Sequence, residues 1–320
     1  MSRIRAYLEL LRLPTVFTAM ADVLMGVAVA STAWPELSEA WVALRLPLAV
    51  LLGASSCLYL AGMVLNDYFD QAQDLAERPK RPIPSGRVSP LAASALGISL
   101  LVVGVAFSLI AARLIGSWRP ALVGGAIATC VLAYDSWLKR TVVGPLAMGA
   151  CRALNALLGM SLASGALGDA ATTTEPWQLA HFLIAGGLGV FVAGVTAVGR
   201  TEARVSKRGW LVVGLLLMLG GMGAIAIFPY VPGVPPQSGM AMEMWPLVWL
   251  ALGLQVGWRV VRTIAEPRPG RVQATVRYGI LSLVVFDGII TLAVAGTVPA
   301  VVVLALLAPT LVLSRWLYVT

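Results

Sequence analysis

Long apolar stretches alternate with short polar joints along the whole chain. About twenty apolar residues suffice for a helix to cross the hydrocarbon core of a bilayer. Ten stretches reach or approach that length: 14–33, 43–66, 90–113, 119–137, 143–165, 178–199, 210–230, 245–264, 274–295 and 298–318. None of the joints has the length or composition of a separate soluble domain. The pattern predicts one all-α domain over residues 1–320, folded as a polytopic membrane helix bundle.

The composition supports the same conclusion. Of the 320 residues, 59% are hydrophobic and only 12% are charged, and the mean hydropathy is +0.86. A soluble domain carries about twice that charged fraction, so a globular enzyme with a large core is excluded. The three cysteines lie inside apolar segments without metal-ligand spacing, which indicates no disulfide framework and no cysteine metal site.

The net charge of +8 is distributed by membrane side. With the N-terminus in the cytoplasm, nineteen Lys and Arg residues fall on the cytoplasmic face and three on the other face. This positive-inside bias predicts an integral protein of a bacterial inner (plasma) membrane type. It places the loops 67–89, 138–142 and 200–209 in the cytoplasm. Because topology accounts for the charge, no nucleic-acid partner is expected, and the expected environment is membrane lipid.

The joint after the second stretch carries three aspartates, Asp67, Asp70 and Asp74. Their spacings of three and four residues put them on one face of a helix. Carboxylates packed this closely repel one another unless a cation lies among them. Oxygen-only ligands suit Mg²⁺, which fills its coordination shell with waters and substrate phosphates. The alternative is a solvated acidic helix end followed by positive-inside residues.

A basic run follows directly, in which Arg78 and Arg81 can bind phosphate bidentately. The combined pattern, Asn-Asp-x-x-Asp-x-x-x-Asp and then Arg-Pro-x-Arg-Pro-x-Pro-x-Gly, resembles the first aspartate-rich motif of the UbiA superfamily of intramembrane prenyltransferases. The resemblance implies nine helices, or ten with the extra stretch here, around a central cavity. It also implies that two aspartate-rich loops hold Mg²⁺ and a prenyl diphosphate, whose isoprenyl group passes to an aromatic or other small acceptor.

Further residues match after the fourth stretch, where Tyr134-Asp135-x-x-x-Lys139 is similar to the pattern of family members. The resemblance implies that Lys139 contacts diphosphate and that Tyr134 and Asp135 orient the acceptor or quench the carbocation. Arg152 and Asn155 lie three residues apart and share a helix face. A buried arginine needs a partner or a wet cavity, so Arg152 serves either the site or a structural ion pair. Asp22 and Asp287 are the other intramembrane charges.

The expected second aspartate motif departs from the family pattern. Thr201 and Val205 stand where family members carry aspartates, and Glu202 is the remaining carboxylate among several cationic side chains. Either Glu202 holds one metal ion while arginines replace the second, or the second site is lost and the protein binds a phosphorylated lipid without turnover. The degenerate motif resembles the EboC-like, UbiA-like branch of the superfamily.

The resemblance thus implies a full set of site residues. The expected metal ligands are Asp67, Asp70, Asp74 and Glu202. The expected catalytic residues are Asp67, Asp70, Tyr134, Asp135, Lys139 and Glu202. The expected diphosphate contacts are Asn66, Arg78, Arg81, Lys139, Arg152, Asn155, Arg200 and Lys207.

Two other functions fit the same motifs. A terpene cyclase of UbiA type captures the cation with the substrate's own double bonds, and a carrier binds an isoprenoid or lipid phosphate without chemistry. An ion-coupled transporter is disfavoured, because the charges cluster at one membrane face and not at mid-depth.

Overall fold

The computed structural model describes residues 3–30, 37–163, 177–200, 206–234 and 243–316. These ranges contain α-helices, short 3-10 turns and no strand. The helices are α1 (Arg3–Leu10), α2 (Val16–Ala30), α3 (Leu37–Phe69), α4 (Gln71–Glu77), α5 (Pro90–Ile115), α6 (Arg119–Ser136), α7 (Gly144–Met160), α8 (Leu179–Gly199), α9 (Arg208–Ile227), α10 (Met244–Ala265), α11 (Pro269–Ala295), α12 (Thr297–Ala305) and α13 (Leu307–Trp316). The predicted all-α class is confirmed, and each predicted apolar stretch is helical where it is described.

Within the described ranges, eight helical segments are long and apolar enough to cross a membrane. The last of them, Thr297–Trp316, consists of α12 and α13, which meet at Leu306. Helices α6 and α7 are shorter, with 18 and 17 residues, and pack against each other within the same bundle. The protein is therefore an integral membrane protein.

The helices differ in how much of their surface the bundle covers. Helices α2, α8 and α11 are the most buried spans, whereas α5, α10 and the α12–α13 segment are the least buried. The outer helices expose large aliphatic side chains, among them Leu250 and Leu254 on α10 and Val301 on α12. An exterior this apolar is stable against lipid and not against water.

Close approach of backbones fixes α7 against two central helices. A methyl group on Gly149 of α7 would collide with the carbonyl of Gly189 on α8. A methyl group on Gly26 of α2 would lie 2.6 Å from the carbonyl oxygen of Ala156 on α7. In lipid, small residues of this kind let helices pack by direct backbone contact. This contact holds the α7 side chains at a defined place in the bundle.

The aspartate-rich joint is not one continuous helix. Helix α3 ends at Phe69, and Asp70 then stands as the N-cap of α4 with φ −96° and ψ 11°. This break differs from the single helix face expected for the three aspartates. Asp67 and Asp74 both contact Arg81, whereas Asp70 contacts Lys139.

The loop after α4 is held by the N-terminal helix. Arg87 Nη1 lies 2.6 Å from Glu9 Oε2 of α1, and Ala6 and Leu10 of α1 pack in one apolar cluster with Ile83. This cluster places the preceding segment, which includes Arg81, over the end of α3.

Candidate active site

A cavity of about 730 Å³ lies between α2, α3, α6, α7, α8 and α11. Polar and charged side chains surround the end of the cavity where α3, α6 and α8 end. We call this set the charged rim; the members that line the cavity are Arg12, Asn66, Asp70, Gln73, Glu77, Arg78, Arg81, Tyr134, Asp135, Lys139, Arg140 and Arg200. Further along the helices the lining becomes apolar, with Leu58, Ile127, Val131, Val195, Ile280 and Leu283. The cavity therefore joins a polar mouth to an apolar interior.

The Lys139 ammonium group contacts or lies near several oxygen atoms of the charged rim. Lys139 follows α6 in a short 3-10 turn, Leu138–Arg140, and its Nζ lies 2.8 Å from Asp70 Oδ1. The same nitrogen donates to Asn66 Oδ1 at 3.2 Å and lies 3.9 Å from Asp135 Oδ1. One ammonium group thus balances carboxylates from α6 and from the α3–α4 joint. A compact cation at this position also suits the binding of phosphate oxygens.

Asp67 faces away from Lys139 and is paired with two arginines. Arg12 Nη2 lies 2.6 Å from Asp67 Oδ1, and Arg81 Nη1 lies 3.2 Å from the same oxygen. Asp67 is buried and does not itself line the cavity, but both of its arginines do. Both guanidinium groups thus supply counter-charge to this buried carboxylate.

Asp74 serves as a second anchor for Arg81. Arg81 Nη1 donates to Asp74 Oδ2 at 2.8 Å and to Asp74 Oδ1 at 3.0 Å. Burial raises the pKa of the Asp74 carboxyl, while the hydrogen bond and charge of Arg81 act in the opposite direction. Burial, followed by the nearby charge of Arg12, lowers the pKa of Arg81. Asp74 does not line the cavity and lies behind Arg81.

The carboxylates do not form a compact metal centre by themselves. In the part of the chain that the structure describes, no three His, Cys, Asp or Glu side chains are grouped so that they could hold a metal ion. The carboxylates are not grouped because Asp67 pairs with Arg12 and Arg81, and Asp74 pairs with Arg81. The oxygen donors that face the cavity nevertheless suit Mg²⁺, which needs only one or two carboxylates when phosphate supplies the rest. Asp70 meets that requirement, and the buried Asp135 Oδ1 has no hydrogen-bond donor among the described residues.

A second polar group lies deeper in the cavity. It comprises Thr18 of α2, Ser55 of α3, and Arg152 and Asn155 of α7, and we call it the polar floor. Ser55 precedes Asn66 by eleven residues of α3, which corresponds to about 16 Å of helix. Ser55 Oγ donates to Asn155 Oδ1 at 2.6 Å, and Arg152 donates to Thr18 Oγ1 at 3.2 Å. The predicted residues Arg152 and Asn155 therefore line the cavity, but far from the charged rim.

The remaining predicted residues are placed as follows. Tyr134, Arg78 and Arg200 line the cavity, and the Arg200 guanidinium lies 4.5 Å from the ring centre of Trp210. Lys207 precedes α9, is exposed and does not line the cavity. Glu202 lies outside the described residues.

The sequence-based prediction missed several contributors, among them Arg12 and Arg140 on the charged rim and Thr18 and Ser55 on the polar floor. Arg12 lines the cavity and binds Asp67, and it is held in the left-handed backbone region with φ 46°. The sequence feature that could have indicated it is a basic residue two positions before Pro14, where the first apolar stretch begins. Ser55 is a small polar residue inside an apolar stretch, which gives no signal by itself.

Comparison with known proteins decides the family. The family model described as the UbiA prenyltransferase family matches residues 19–269. The chain belongs to this family. The structure has the fold of a UbiA homologue from Archaeoglobus fulgidus described as bound to GPP and Mg²⁺, with a TM-score of 0.63, 12% identity, and coverage of 94% of this chain and 99% of the other. At that identity the likeness concerns the fold alone.

Curated relatives match over part of their length. A digeranylgeranylglyceryl phosphate synthase of Korarchaeum cryptofilum is 32% identical over 167 residues, which is 52% of this chain and 54% of the relative. A protein of the same name from Sulfurisphaera tokodaii is 33% identical over 107 residues, 33% of this chain and 36% of the relative. The matched segments thus span about a third to a half of these relatives. A third synthase, from Hyperthermus butylicus, is 25% identical over 79% of this chain and 84% of its own length.

Proposed function

We propose that this UbiA family member is a Mg²⁺-dependent intramembrane prenyltransferase that moves an isoprenyl group from a prenyl diphosphate to a small acceptor. The observation that carries the proposal is the cavity itself, in which the charged rim opens directly onto an apolar interior. A diphosphate head matches the rim and an isoprenoid tail matches the interior. The relatives' name, a synthase of a prenylated glyceryl phosphate, supports the same reaction class.

The chain's own residues have defined tasks in this reaction. Lys139, Arg78 and Arg81 bind and neutralise the diphosphate, so that the bond between C1 of the prenyl group and oxygen can break with its electron pair leaving on the diphosphate. The apolar lining excludes water, which would otherwise capture the allylic cation. An acceptor hydroxyl or aromatic carbon then bonds to C1 and loses a proton. Asp135 and Tyr134 line the cavity; the Asp135 carboxylate is suited to accept that proton and the Tyr134 hydroxyl to orient the acceptor.

Mg²⁺ would be held by Asp70, with Asp67 as the second carboxylate if its arginines turn to the substrate. When bound, the ion neutralises charge on the departing diphosphate. Glu202 belongs to the proposed ligand set through the family resemblance. Lys207 remains a proposed diphosphate contact. Asp74 remains a proposed metal ligand, although it lies behind Arg81 and does not line the cavity.

The experiment is a turnover assay with protein purified in detergent. Prenyl diphosphates of increasing length are supplied with Mg²⁺ and with aromatic or prenylated glyceryl phosphate acceptors, and both diphosphate release and prenylated product are measured. We expect product that requires the acceptor and is abolished by chelation of Mg²⁺. Cyclised product without an acceptor would identify a terpene cyclase. Tight binding of a prenyl diphosphate without turnover would identify a carrier, and either result would overturn the proposal.

A further inference from the structure

Two carboxyl groups from distant parts of the chain meet inside the bundle. Asp22 of α2 and Asp287 of α11 are both fully buried, and their carboxyl groups lie within hydrogen-bonding range of each other. The one cation beside them among the described residues is Arg152, whose Nε lies 2.6 Å from Asp22 Oδ2. If both carboxyl groups were ionised, the buried trio would carry a net charge of −1. Such an uncompensated charge is strongly disfavoured in a helix bundle surrounded by lipid.

The hydrogen bonds indicate where a proton resides. Asp22 Oδ2 accepts from Asn155 Nδ2 at 2.8 Å in addition to its contact with Arg152. By contrast, Asp22 Oδ1 and both oxygens of Asp287 find no hydrogen-bond donor in the described part of the chain. Buried polar atoms are rarely left without partners. A proton on Asp287 that is donated to Asp22 pairs one Asp287 oxygen with Asp22 Oδ1, two of these three oxygens, and removes the excess charge at the same time.

We propose that Asp22 and Asp287 share one proton, carried by Asp287, and that this pair positions Arg152 and Asn155 on the polar floor of the cavity. Asp287 holds Asp22 through the shared proton, and Asp22 in turn forms an ion pair with Arg152 and accepts a hydrogen bond from Asn155. Arg152 is also tied to α2 through Thr18, whose backbone oxygen accepts from its Nη2 at 2.7 Å. The charge of Arg152 is thereby balanced, and the polar floor presents ordered hydrogen-bonding groups without net charge.

This arrangement adds a prediction about the acceptor to the proposed function. The kinetic test of the arrangement depends on that function. Asp287 touches no cavity space, so its role is positional. A neutral, ordered floor favours an uncharged hydroxyl-bearing part of a substrate over a second phosphate group, because the arginine charge is already matched by Asp22. Loss of order at the floor should raise the KM for the acceptor more than it changes the KM for the prenyl diphosphate.

Asp287→Asn and Asp22→Asn test the proposal, because asparagine keeps the size of aspartate. In Asp287→Asn the amide replaces the donating acid, so we expect wild-type stability and acceptor KM. In Asp22→Asn the Arg152 cation loses its counter-charge unless Asp287 ionises. We therefore expect about a tenfold higher acceptor KM, similar to the loss of residues that hold the direct ligands of a binding site in place. Asp287→Leu removes the donor and should resemble Asp22→Asn. The exposed Glu266→Gln serves as the control for loss of a carboxylate elsewhere.

A readout that is independent of activity completes the design. The infrared difference spectrum between wild type and Asp287→Asn should contain a protonated carboxylic-acid band that disappears in the variant. Absence of that band would overturn the proposal, as would an Asp287→Asn variant that behaves like Asp22→Asn. If no protein in the series turns over any substrate, the proposed function fails. The infrared band and the relative thermal stabilities of the two asparagine variants would still decide the question of the shared proton.

Discussion

Lys139 Nζ and Asp70 Oδ1 lie 2.8 Å apart and join the end of α6 to the break between α3 and α4. The pair places one cation and one carboxylate at the boundary between the charged rim and the apolar interior. We expect a diphosphate that enters this site to contact Lys139 and a metal ion to contact Asp70. Substitution of each residue separately should therefore distinguish binding of the diphosphate by Lys139 from binding of the metal ion by Asp70.

Lys139→Met should lower kcat/KM for the prenyl diphosphate by about 100-fold, since one charge-stabilising donor to a developing anion typically contributes that much. Methionine keeps the length and apolar stem of the side chain while removing the charge. Steady-state diphosphate release is the measurement, with the exposed Lys80→Met as the matched control. Equal activity in the two variants would mean that Lys139 only balances Asp70 and Asp135.

Asp70→Asn should raise the Mg²⁺ concentration needed for half-maximal turnover by about 10-fold or more, in line with the loss of a metal-site carboxylate or its support. The amide oxygen of asparagine can still accept a hydrogen bond from Lys139, so the fold should persist. Turnover as a function of Mg²⁺ concentration is the measurement, and Glu266→Gln is the control. An unchanged Mg²⁺ dependence would remove Asp70 from the proposed ligand set.

Arg12 combines an ion pair with a strained backbone, and two substitutions separate these effects. Arg12→Gly and Arg12→Ala both remove the 2.6 Å contact with Asp67, so both should weaken the fold and the site. Only alanine retains the cost of the left-handed conformation at φ 46°, which is about 1 kcal/mol. Unfolding in mixed detergent micelles should therefore find the glycine variant more stable than the alanine variant. The reverse order would show that residue 12 relaxes to an ordinary conformation.

Gly149→Ala should destabilise the bundle by about 1–3 kcal/mol, the usual cost of overpacking. The added methyl group would push α7 away from Gly189 on α8, and α7 carries Arg152 and Asn155. Thermal unfolding and acceptor KM should change together. Gly125→Ala is the matched control, because open space surrounds that position on α6 and alanine is the better helix former. Equal effects of the two substitutions would contradict the close packing of α7.

The local sequence was sufficient to predict the helices and to indicate the chemical class of the candidate site. Apolar stretches of bilayer length must become helices, because lipid offers no partner to free backbone groups. The run from Asn66 to Asp74 indicated a metal site by its carboxylates, whereas the roles of Asp135 and Lys139 were implied by the family resemblance. Asn66, Asp70, Asp135 and Lys139 line the cavity, and Asp67 and Asp74 do not.

Only the tertiary structure decided which of these side chains reach the cavity. Asp67 and Asp74 differ from Asp70 because Arg12 and Arg81 approach them from other segments, and spacing along one helix cannot reveal such partners. The meeting of Asp22, Arg152 and Asp287 likewise depends on three helices that are far apart in the chain. Periodicity within a segment determines secondary structure and membrane exposure. The balance of buried charges is determined by contacts between segments, and therefore by the fold.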